Sequence, residues 1–169
     1  MRAGRGALRA LLSLVLVAAC GCRAKQAGGL HARLILQPHD TLQFTADARA
    51  RRCGGGRGFV LEGAAGGSGL LLWVRSGDSA VGGEYPVLTR GDSIASRGVV
   101  GGVRFMIKET DHGITLDSGV VSVSSVEGRI DAQARGSGID PNAGQRVALD
   151  ASFHAVPIAA DTASCHVQL

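Results

Sequence analysis

Apolar and polar residues alternate with a period of two along several segments of the chain. The clearest segment, 146–156 (RVALDASFHAV), carries Val147, Leu149, Ala151, Phe153 and Ala155 on one face and polar residues on the other. The same alternation occurs in 41–50 (TLQFTADARA), 103–108 (VRFMIK) and 129–135 (RIDAQAR). Successive side chains of a β-strand point to opposite faces, so each segment predicts a strand with one buried face.

Two further runs are apolar throughout, 59–63 (FVLEG) and 69–75 (GLLLWVR), and they predict central strands covered on both sides. Glycine-rich turn signals separate the runs, and no amphipathic helix of ordinary length follows residue 20. The turn signals lie at 53–58, 64–69, 76–79, 90–93, 126–129 and 136–145. About eight to ten short strands at this spacing predict an all-β fold with a single antiparallel β-sandwich; a small closed β-barrel is the alternative.

The first nineteen residues have the pattern of a secretory signal peptide. Three arginines, at positions 2, 5 and 9, precede the apolar segment 10–19 (ALLSLVLVAA). Ten helical residues rise only about 15 Å, half of a bilayer core, so the segment is too short for a transmembrane span. A buried core helix is the alternative, and the basic flank and terminal position disfavour it.

The end of this segment resembles the lipobox of bacterial lipoproteins, with Val17, two alanines and then Cys20. The resemblance implies cleavage before Cys20, diacylglycerol on its thiol and acylation of the new amine. Cys22 is the competing candidate, but Ala19 then stands where a large aliphatic residue belongs. Each buried methylene contributes about 0.8 kcal/mol, so several acyl chains hold a protein in the membrane. Gly21, in place of Asp, implies sorting to the outer membrane, with the body facing the periplasm.

The whole mature chain is similar to uncharacterised small bacterial envelope lipoproteins with a β-sandwich body. Besides the lipobox, the resemblance rests on 83–93 (GEYPVLTRGDS), 103–105 (VRF), 116–125 (LDSGVVSVSS) and the closing 146–156 with Cys165. We therefore divide the chain into a signal peptide (1–19), a lipidated N-terminus with a flexible tether (20–31) and a β-sandwich domain (32–169). The family brings no activity that could be assigned to particular residues.

The charge of the chain does not indicate a nucleic-acid partner. The formal net charge is +4, but residues 1–19 contribute three arginines and no acid, which leaves 15 basic and 14 acidic residues. The only basic cluster, Arg49–Arg52, has no accompanying aromatic platform. We expect the membrane to be a partner through the acyl chains, and an envelope protein or glycan to be a further one.

Cysteine usage favours one disulfide bond. Cys53 and Cys165 both lie within the predicted body, and the exporting compartment permits disulfides. Pairing them would close a loop of about one hundred residues and stabilise the fold by about 4 to 5 kcal/mol in the chain-entropy model. Two buried free thiols are the alternative, and Cys22 is left over near the membrane.

No metal or cofactor site is expected. The five histidines, at positions 31, 39, 112, 154 and 166, lack the short spacing of a zinc site, and there is no Cys-x-x-Cys pair. The candidate acidic residues are dispersed and form no calcium-binding loop; they are Asp111, Asp117, Asp131 and Asp140.

Catalysis is not indicated either, because the nearest match to a nucleophile elbow, 66–70 (GGSGL), lacks the last glycine. A Ser-His-Asp triad could still assemble in space, with His39-Asp40 or the pair of Asp111 and His112 as its suppliers. The Arg90-Gly91-Asp92 tripeptide is interpreted as a hairpin turn rather than an adhesion motif. Trp73 and Tyr85 could stack on a sugar, although core packing is favoured for Trp73.

We therefore expect a lipid-anchored cell-envelope protein with a non-catalytic binding or structural role. Its binding regions would be the turns 76–79, 90–93 and 136–145. Two alternatives make distinct structural predictions. A lipocalin-like carrier of an apolar ligand predicts a cavity inside a barrel. An envelope hydrolase predicts a cleft in which a Ser or Asp meets His39, His112 or His154.

Overall fold

The computed structural model describes residues 28–36, 40–55, 58–77 and 81–165, and the described residues form an all-β fold. Nine strands follow one another along the chain: β1 (Gly28–Leu36), β2 (Asp40–Cys53), β3 (Phe59–Ala65), β4 (Ser68–Ser76), β5 (Gly83–Pro86), β6 (Arg97–Ile107), β7 (Thr110–Val126), β8 (Arg129–Asp140) and β9 (Gln145–Ala163). Within these ranges there is no helix with the length and hydrophobicity needed to cross a bilayer. The predictions for 1–19, Cys20, Cys22, His39 and His166 fall outside the described residues.

The sheet closes into an antiparallel barrel of eight strands. Neighbouring strands pair from β6 through β4, β3, β2, β1 and β9 to β8, and β7 pairs with both β6 and β8. The predicted β-sandwich is therefore wrong and the alternative, a small closed barrel, is confirmed. A period of two does not distinguish the two architectures. The distinction arises from long strands that bend around the barrel at register shifts between Leu116 and Ser118 and between Ile130 and Ala132.

Side chains fill the interior of the barrel. The inward residues alternate along every barrel strand, and Tyr85, Phe105 and Phe153 are the largest that are fully buried. Aliphatic residues from all eight barrel strands complete one continuous core. An eight-stranded barrel is just wide enough for its side chains to fill it. The hollow interior that a lipocalin-like carrier requires is therefore replaced here by packed side chains.

The short strand β5 widens the wall of the barrel where β6 and β7 diverge. β6 and β7 pair only between Gly102–Ile107 and Thr110–Thr115, and β5 then pairs with Val120–Val123 of β7. The parallel bridge between Val87 and Val99 closes the other side of the gap. Tyr85 of β5 points inward, and its Oη donates a hydrogen bond of 2.7 Å to the carbonyl of Val81. Tyr85 is thus a core residue and offers no surface for sugar stacking.

Both ends of the described chain lie at the same end of the barrel, which we call the tether pole. β1 begins at this pole, and the β2–β3, β4–β5 and β7–β8 connections also lie there. The remaining hairpins lie at the opposite end of the barrel, which we call the far pole. β1 begins at Gly28, so residues 28–31 belong to the barrel rather than to the tether predicted at 20–31. The side chain of Leu30 is buried in the core and holds residues 28–31 in the sheet.

Beyond the start of β1, β2 and β9 pair directly with each other. The parallel pairs there are Ala50–Ile158 and Cys53–Ala163. Cys53 and Cys165 form a disulfide bond with Cα atoms 5.4 Å apart, as the cysteine usage predicted. The bond thus closes the tether pole next to the point where the chain enters the barrel.

Two glycine-rich segments that predict turns are largely strand. In 136–145, β8 continues to Asp140 and only 141–144 form the turn. A Cβ atom at Gly138 would lie 2.2 Å from the carbonyl oxygen of Thr115, so glycine is needed here for close strand approach, not for a turn. In 64–69 the turn is only Gly66-Gly67, with φ angles of 58° and 81° that suit a two-residue hairpin.

Candidate functional site

A groove of about 1050 Å³ crosses the outer wall of the barrel from β2 to β8. Outward positions line it because strand register places them in neighbouring rows, for example Leu71 opposite Glu62 on one side and Gly102 on the other. The outward lining residues are Asp47, Arg49, Glu62, Ala64, Gly69, Leu71, Gly102, Arg104, Gly113, Thr115 and Ile139. Arg90, Asp117 and Pro141 complete the β7 and β8 end.

Glycines form the floor of the groove. A Cβ atom at Gly102 or Gly113 would meet only one backbone oxygen, at 3.5 and 3.6 Å respectively, so their outward positions open to free space. Leu71 and Ile139 rise beside this floor, and each is 45% exposed. Because these two residues on neighbouring strands are glycines, the wall is depressed there. Exposed apolar side chains flank the depression, which is typical of a binding surface.

Several charged groups of the groove neutralise one another. Asp117 is held by Arg146, whose Nη1 and Nη2 atoms lie 2.7 and 3.0 Å from the two carboxylate oxygens. This hydrogen bonding brings the pKa of Asp117 below its ordinary value. Two more ion pairs span neighbouring strands: Arg49 Nε to Glu62 Oε1 at 2.5 Å and Arg104 Nε to Asp111 Oδ1 at 2.8 Å. These pairs leave little net charge along the middle of the groove.

Two lining charges, Asp47 and Arg90, have no ion-pair partner of opposite sign within the described ranges. Asp47 projects from β2, next to the Gly28–Ala48 pair where β1 begins. Arg90 belongs to the loop 88–96, which leaves the wall between β6 and β7 after the Val87–Val99 bridge. Beside Asp47, Arg51 Nη2 lies 2.8 Å from the same Glu62 oxygen that Arg49 contacts, so two arginines balance two carboxylates on the β2 side of the groove.

The loop that carries Arg90 is fixed by its own polar contacts. Asp92 Oδ1 accepts hydrogen bonds of 2.9 Å from the backbone N–H groups of Ile94 and Ala95. These two bonds bring the pKa of Asp92 below its ordinary value. Arg75 Nη1 donates to the Ala95 carbonyl at 3.1 Å. The carboxylate of the Arg90-Gly91-Asp92 tripeptide thus stabilises a turn inside this loop. The hairpin interpretation is wrong, because β5 and β6 do not pair as antiparallel neighbours and meet only at the parallel Val87–Val99 bridge.

Trp73 lies on the outer wall rather than in the core. Its ring is half-buried, and the guanidinium of Arg75 lies 4.3 Å from the ring centroid. The indole Nε1 is buried without a hydrogen-bond partner in the described residues. Because Arg75 covers the ring, Trp73 does not offer the open face that stacking on a sugar requires.

Two histidines form pairs with aspartates, but both pairs serve the fold. His112 Nδ1 lies 2.7 Å from Asp140 Oδ2, and His154 Nδ1 lies 2.8 Å from Asp131 Oδ1. Asp131 also accepts a bond from the backbone N–H of Ala155, a residue with φ of 49°, and this bond is the main reason why the pKa of Asp131 is lowered. In the described part of the chain no serine hydroxyl hydrogen-bonds to either imidazole, so the triad of a hydrolase is not assembled there.

Metal-binding groups also stay apart. Over the described strands and loops, no three side chains from histidine, cysteine, aspartate or glutamate come together as ligands. Asp111, Asp117, Asp131 and Asp140 are each occupied by an arginine or a histidine.

Two of the three turn regions that the sequence singled out contribute to the groove. Arg90 comes from 90–93, and Ile139 and Pro141 come from 136–145. Region 76–79 is not part of the lining, and 78–79 lie outside the described residues. Sequence reasoning missed the groove floor. Two signals could have revealed it: Gly102 takes an outward position beside the inward Val103, and Leu71 takes an outward position in a strand that a barrel leaves uncovered on one side.

The structure of this chain alone supports the description of the fold and the groove. Comparison with protein-family models, with curated proteins and with solved structures found no match.

Proposed function

We propose that the protein is a lipid-anchored, non-catalytic binding module of the bacterial cell envelope, and that the groove is its binding surface. The observation that carries this proposal is the placement of the groove on the outer wall of a barrel whose interior is filled. With the interior occupied by side chains, the outer depression is where a ligand gains contact area without displacing the core.

The tether pole supports the anchoring part of the proposal. Cys20, the lipobox cysteine, precedes Gly28 by eight residues, and a chain of eight residues spans at most about 28 Å. Acyl chains on Cys20 would hold the body close to an outer-membrane surface facing the periplasm. The far pole would then point away from the bilayer, and the groove would run around the side of the barrel, within reach of other envelope components.

The paired state of the polar groups supports a non-catalytic role. A general base must reach a reacting proton, and an activated nucleophile needs a base at hydrogen-bond distance. The His112–Asp140 and His154–Asp131 pairs lie outside the groove, whose own carboxylates are mostly neutralised by arginines. The groove can therefore hold a ligand by shape, apolar contact and charge, and it carries no assembled reaction centre.

Site-specific photo-crosslinking tests the binding surface. Benzoylphenylalanine replaces Leu71 in the groove or, as a matched control, Gln133, an exposed outward residue of β8 that does not line the groove. In irradiated cells that produce the full chain, we expect an adduct from position 71 and none from position 133. The adduct at position 71 should weaken when Cys20→Ser removes the anchor.

Two outcomes contradict the proposal. One is equal labelling, or none, at positions 71 and 133, which would show that the groove is not a selective surface. The other is ester or amide hydrolysis by the purified chain that disappears with His112→Ala, since it would assign a catalytic role to a group that the proposal treats as structural.

A further inference from the structure

We propose that His31 and His154 together bind one divalent transition-metal ion of the class formed by Cu²⁺, Ni²⁺ and Zn²⁺. Both histidines line a notch of about 540 Å³ on the outer wall of the barrel, near the start of β1. This site goes beyond the proposed function, because neither histidine lines the groove.

Strand register brings the two histidines together. Gly29 of β1 is opposite His154 of β9, and His31 is opposite Ser152, so the two histidines are diagonal neighbours on the outward face. Side chains in this relation have Cβ atoms about 7 Å apart. Each imidazole extends several ångströms beyond its Cβ atom, so both can bond to one ion at about 2.1 Å. The two strands are distant in sequence, which is why the spacing of the histidines along the chain does not indicate the site.

The hydrogen bond with Asp131 orients His154 for this role. Asp131 Oδ1 lies 2.8 Å from His154 Nδ1. An ionised carboxylate only accepts hydrogen bonds, so Nδ1 carries the proton and Nε2 of the neutral ring keeps its lone pair. Asp131 belongs to β8 and His31 to β1, on opposite sides of β9. Because the two ring nitrogens point to nearly opposite sides of an imidazole, this bond directs Nε2 toward β1. A carboxylate behind the histidine is the usual support of a metal ligand.

The notch leaves room for an ion between the two rings. Gly29 lies beside both histidines, and a Cβ atom at this position would have nothing within 4 Å. His31 is exposed, and the side chain of His154 is 87% exposed. An ion can therefore enter from solvent without any opening of the barrel.

The surroundings favour a cation that prefers nitrogen ligands. The notch is lined by one carboxylate, Asp47, and by no lysine or arginine. Imidazole suits Cu²⁺, Ni²⁺ and Zn²⁺, whereas Ca²⁺ and Mg²⁺ prefer oxygen. Among the residues that the structure describes, no group of three histidine, cysteine, aspartate or glutamate side chains is placed to hold an ion. Two imidazoles and water therefore make up the coordination shell, and Cu²⁺ should bind most tightly of the three ions.

Isothermal titration of the purified, acylated full chain with CuCl₂ in detergent tests the proposal. The parent protein carries Cys22→Ser, so that a free thiol does not compete for the ion. We expect one saturable Cu²⁺ site, and weaker binding of Ni²⁺ and Zn²⁺. Adding His31→Gln or His154→Gln should weaken Cu²⁺ binding about tenfold or more, at least the loss expected for a group that only supports a ligand.

Two control variants isolate the pair of imidazoles. Ser152→Ala changes the lining of the same notch without removing a nitrogen. His112→Gln removes a histidine that Asp140 holds elsewhere in the barrel. Both controls should bind Cu²⁺ as tightly as the parent. Circular dichroism of every variant verifies that the strands are intact.

Electron paramagnetic resonance identifies the ligands of the bound Cu²⁺. We expect couplings to two imidazole nitrogens in the parent and to one in the His31→Gln and His154→Gln variants. In nuclear magnetic resonance spectra, Zn²⁺ should shift the ring signals of His31 and His154 together and leave those of His112 in place.

Three results overturn the proposal: no saturable Cu²⁺ binding, undiminished binding in the double variant His31→Gln with His154→Gln, or a spectrum with only one nitrogen ligand in the parent. Undiminished binding in the double variant would assign the ion to other residues, with His39 and His166 as the remaining histidines outside the notch. Photo-crosslinking at position 71 is read without metal, so failure of this proposal and failure of the proposed function are distinguishable.

Discussion

His112 Nδ1 lies 2.7 Å from Asp140 Oδ2 at the far pole of the barrel, where the imidazole also stacks on Phe105 with ring centroids 5.4 Å apart. Asp140 is only 2% exposed. Burial would raise the pKa of this carboxyl, but the hydrogen bond from His112 and the backbone N–H of Asn142 outweigh it, so the pKa lies below its ordinary value. The pair therefore fixes the end of β8 and the turn that follows.

Asp140→Asn should lower the free energy of unfolding at neutral pH by about 1 to 3 kcal/mol, because the variant weakens a charge-assisted bond inside the fold. The folded-state pKa of Asp140 is lower than the unfolded one, so the carboxylate stabilises the fold above about pH 4, and this contribution is lost as the pH falls through the folded-state pKa. Urea unfolding from pH 7 down to pH 2.5 should show the difference between wild type and variant shrinking below about pH 4. A difference that stays constant over the whole range would contradict this assignment.

Removing the disulfide should cost stability through the long loop that it closes. Cys53 and Cys165 are separated by 112 residues, and the chain-entropy model gives about 4 to 5 kcal/mol for a loop of this size. The double variant Cys53→Ser with Cys165→Ser should show this loss in urea unfolding. Dithiothreitol provides the control: it should destabilise the wild type by a similar amount and leave the double variant unchanged. Equal stability of oxidised and reduced wild type would refute the prediction.

Gly138→Ala should destabilise the barrel by more than about 2 kcal/mol, because its Cβ atom would lie 2.2 Å from the Thr115 carbonyl oxygen in the neighbouring strand. Gly29→Ala is the matched control, since a Cβ atom there has nothing within 4 Å. Thermal unfolding of the two variants measures the contrast. Similar melting temperatures would show that β7 and β8 can separate locally without cost.

Acylation should depend on Cys20 and not on Cys22. Mass spectrometry of the membrane fraction should find the mature N-terminus acylated in wild type and in Cys22→Ser, but not in Cys20→Ser. The physical reason is the small-residue pair before Cys20, which a signal peptidase can approach closely. Acylation that persists in Cys20→Ser and disappears in Cys22→Ser would shift the anchor by two residues.

The strands were largely predictable from the sequence, and the closure of the sheet was not. The segments 41–50 and 146–156 fall in β2 and β9, and 103–108 falls in β6 except for its last residue. Val147, Leu149, Ala151 and Phe153 point inward as the alternation indicates, but the prediction for Ala155 is wrong, because the register shifts there and Val156 is buried instead. Alternation reports that one face is buried but not which sheet buries it. Closure depends on the pairing of β7 with β8, a contact set by strand length and register shifts.

Glycine was the main source of error. A glycine signals a turn when its φ must be positive, as at Gly66 and Gly67, but the same letter marks close strand approach at Gly138 and an empty outward position at Gly102. The four residues of β5 also escaped prediction, because only Tyr85 among them is buried. The groove escaped prediction for a related reason, since its floor consists of glycines, which have no side chain.

The entry of β1 between β2 and β9 has a mechanical consequence. β1 is hydrogen-bonded on both sides along nearly its whole length, and the disulfide joins β2 to the end of β9 just beyond its first residue. A force pulling on the chain ahead of Gly28 along the strand axis would act on two ladders in parallel, so the load would be shared instead of opening one bond after another. β1 should therefore resist shear along its own axis more strongly than a strand that is paired on one side only.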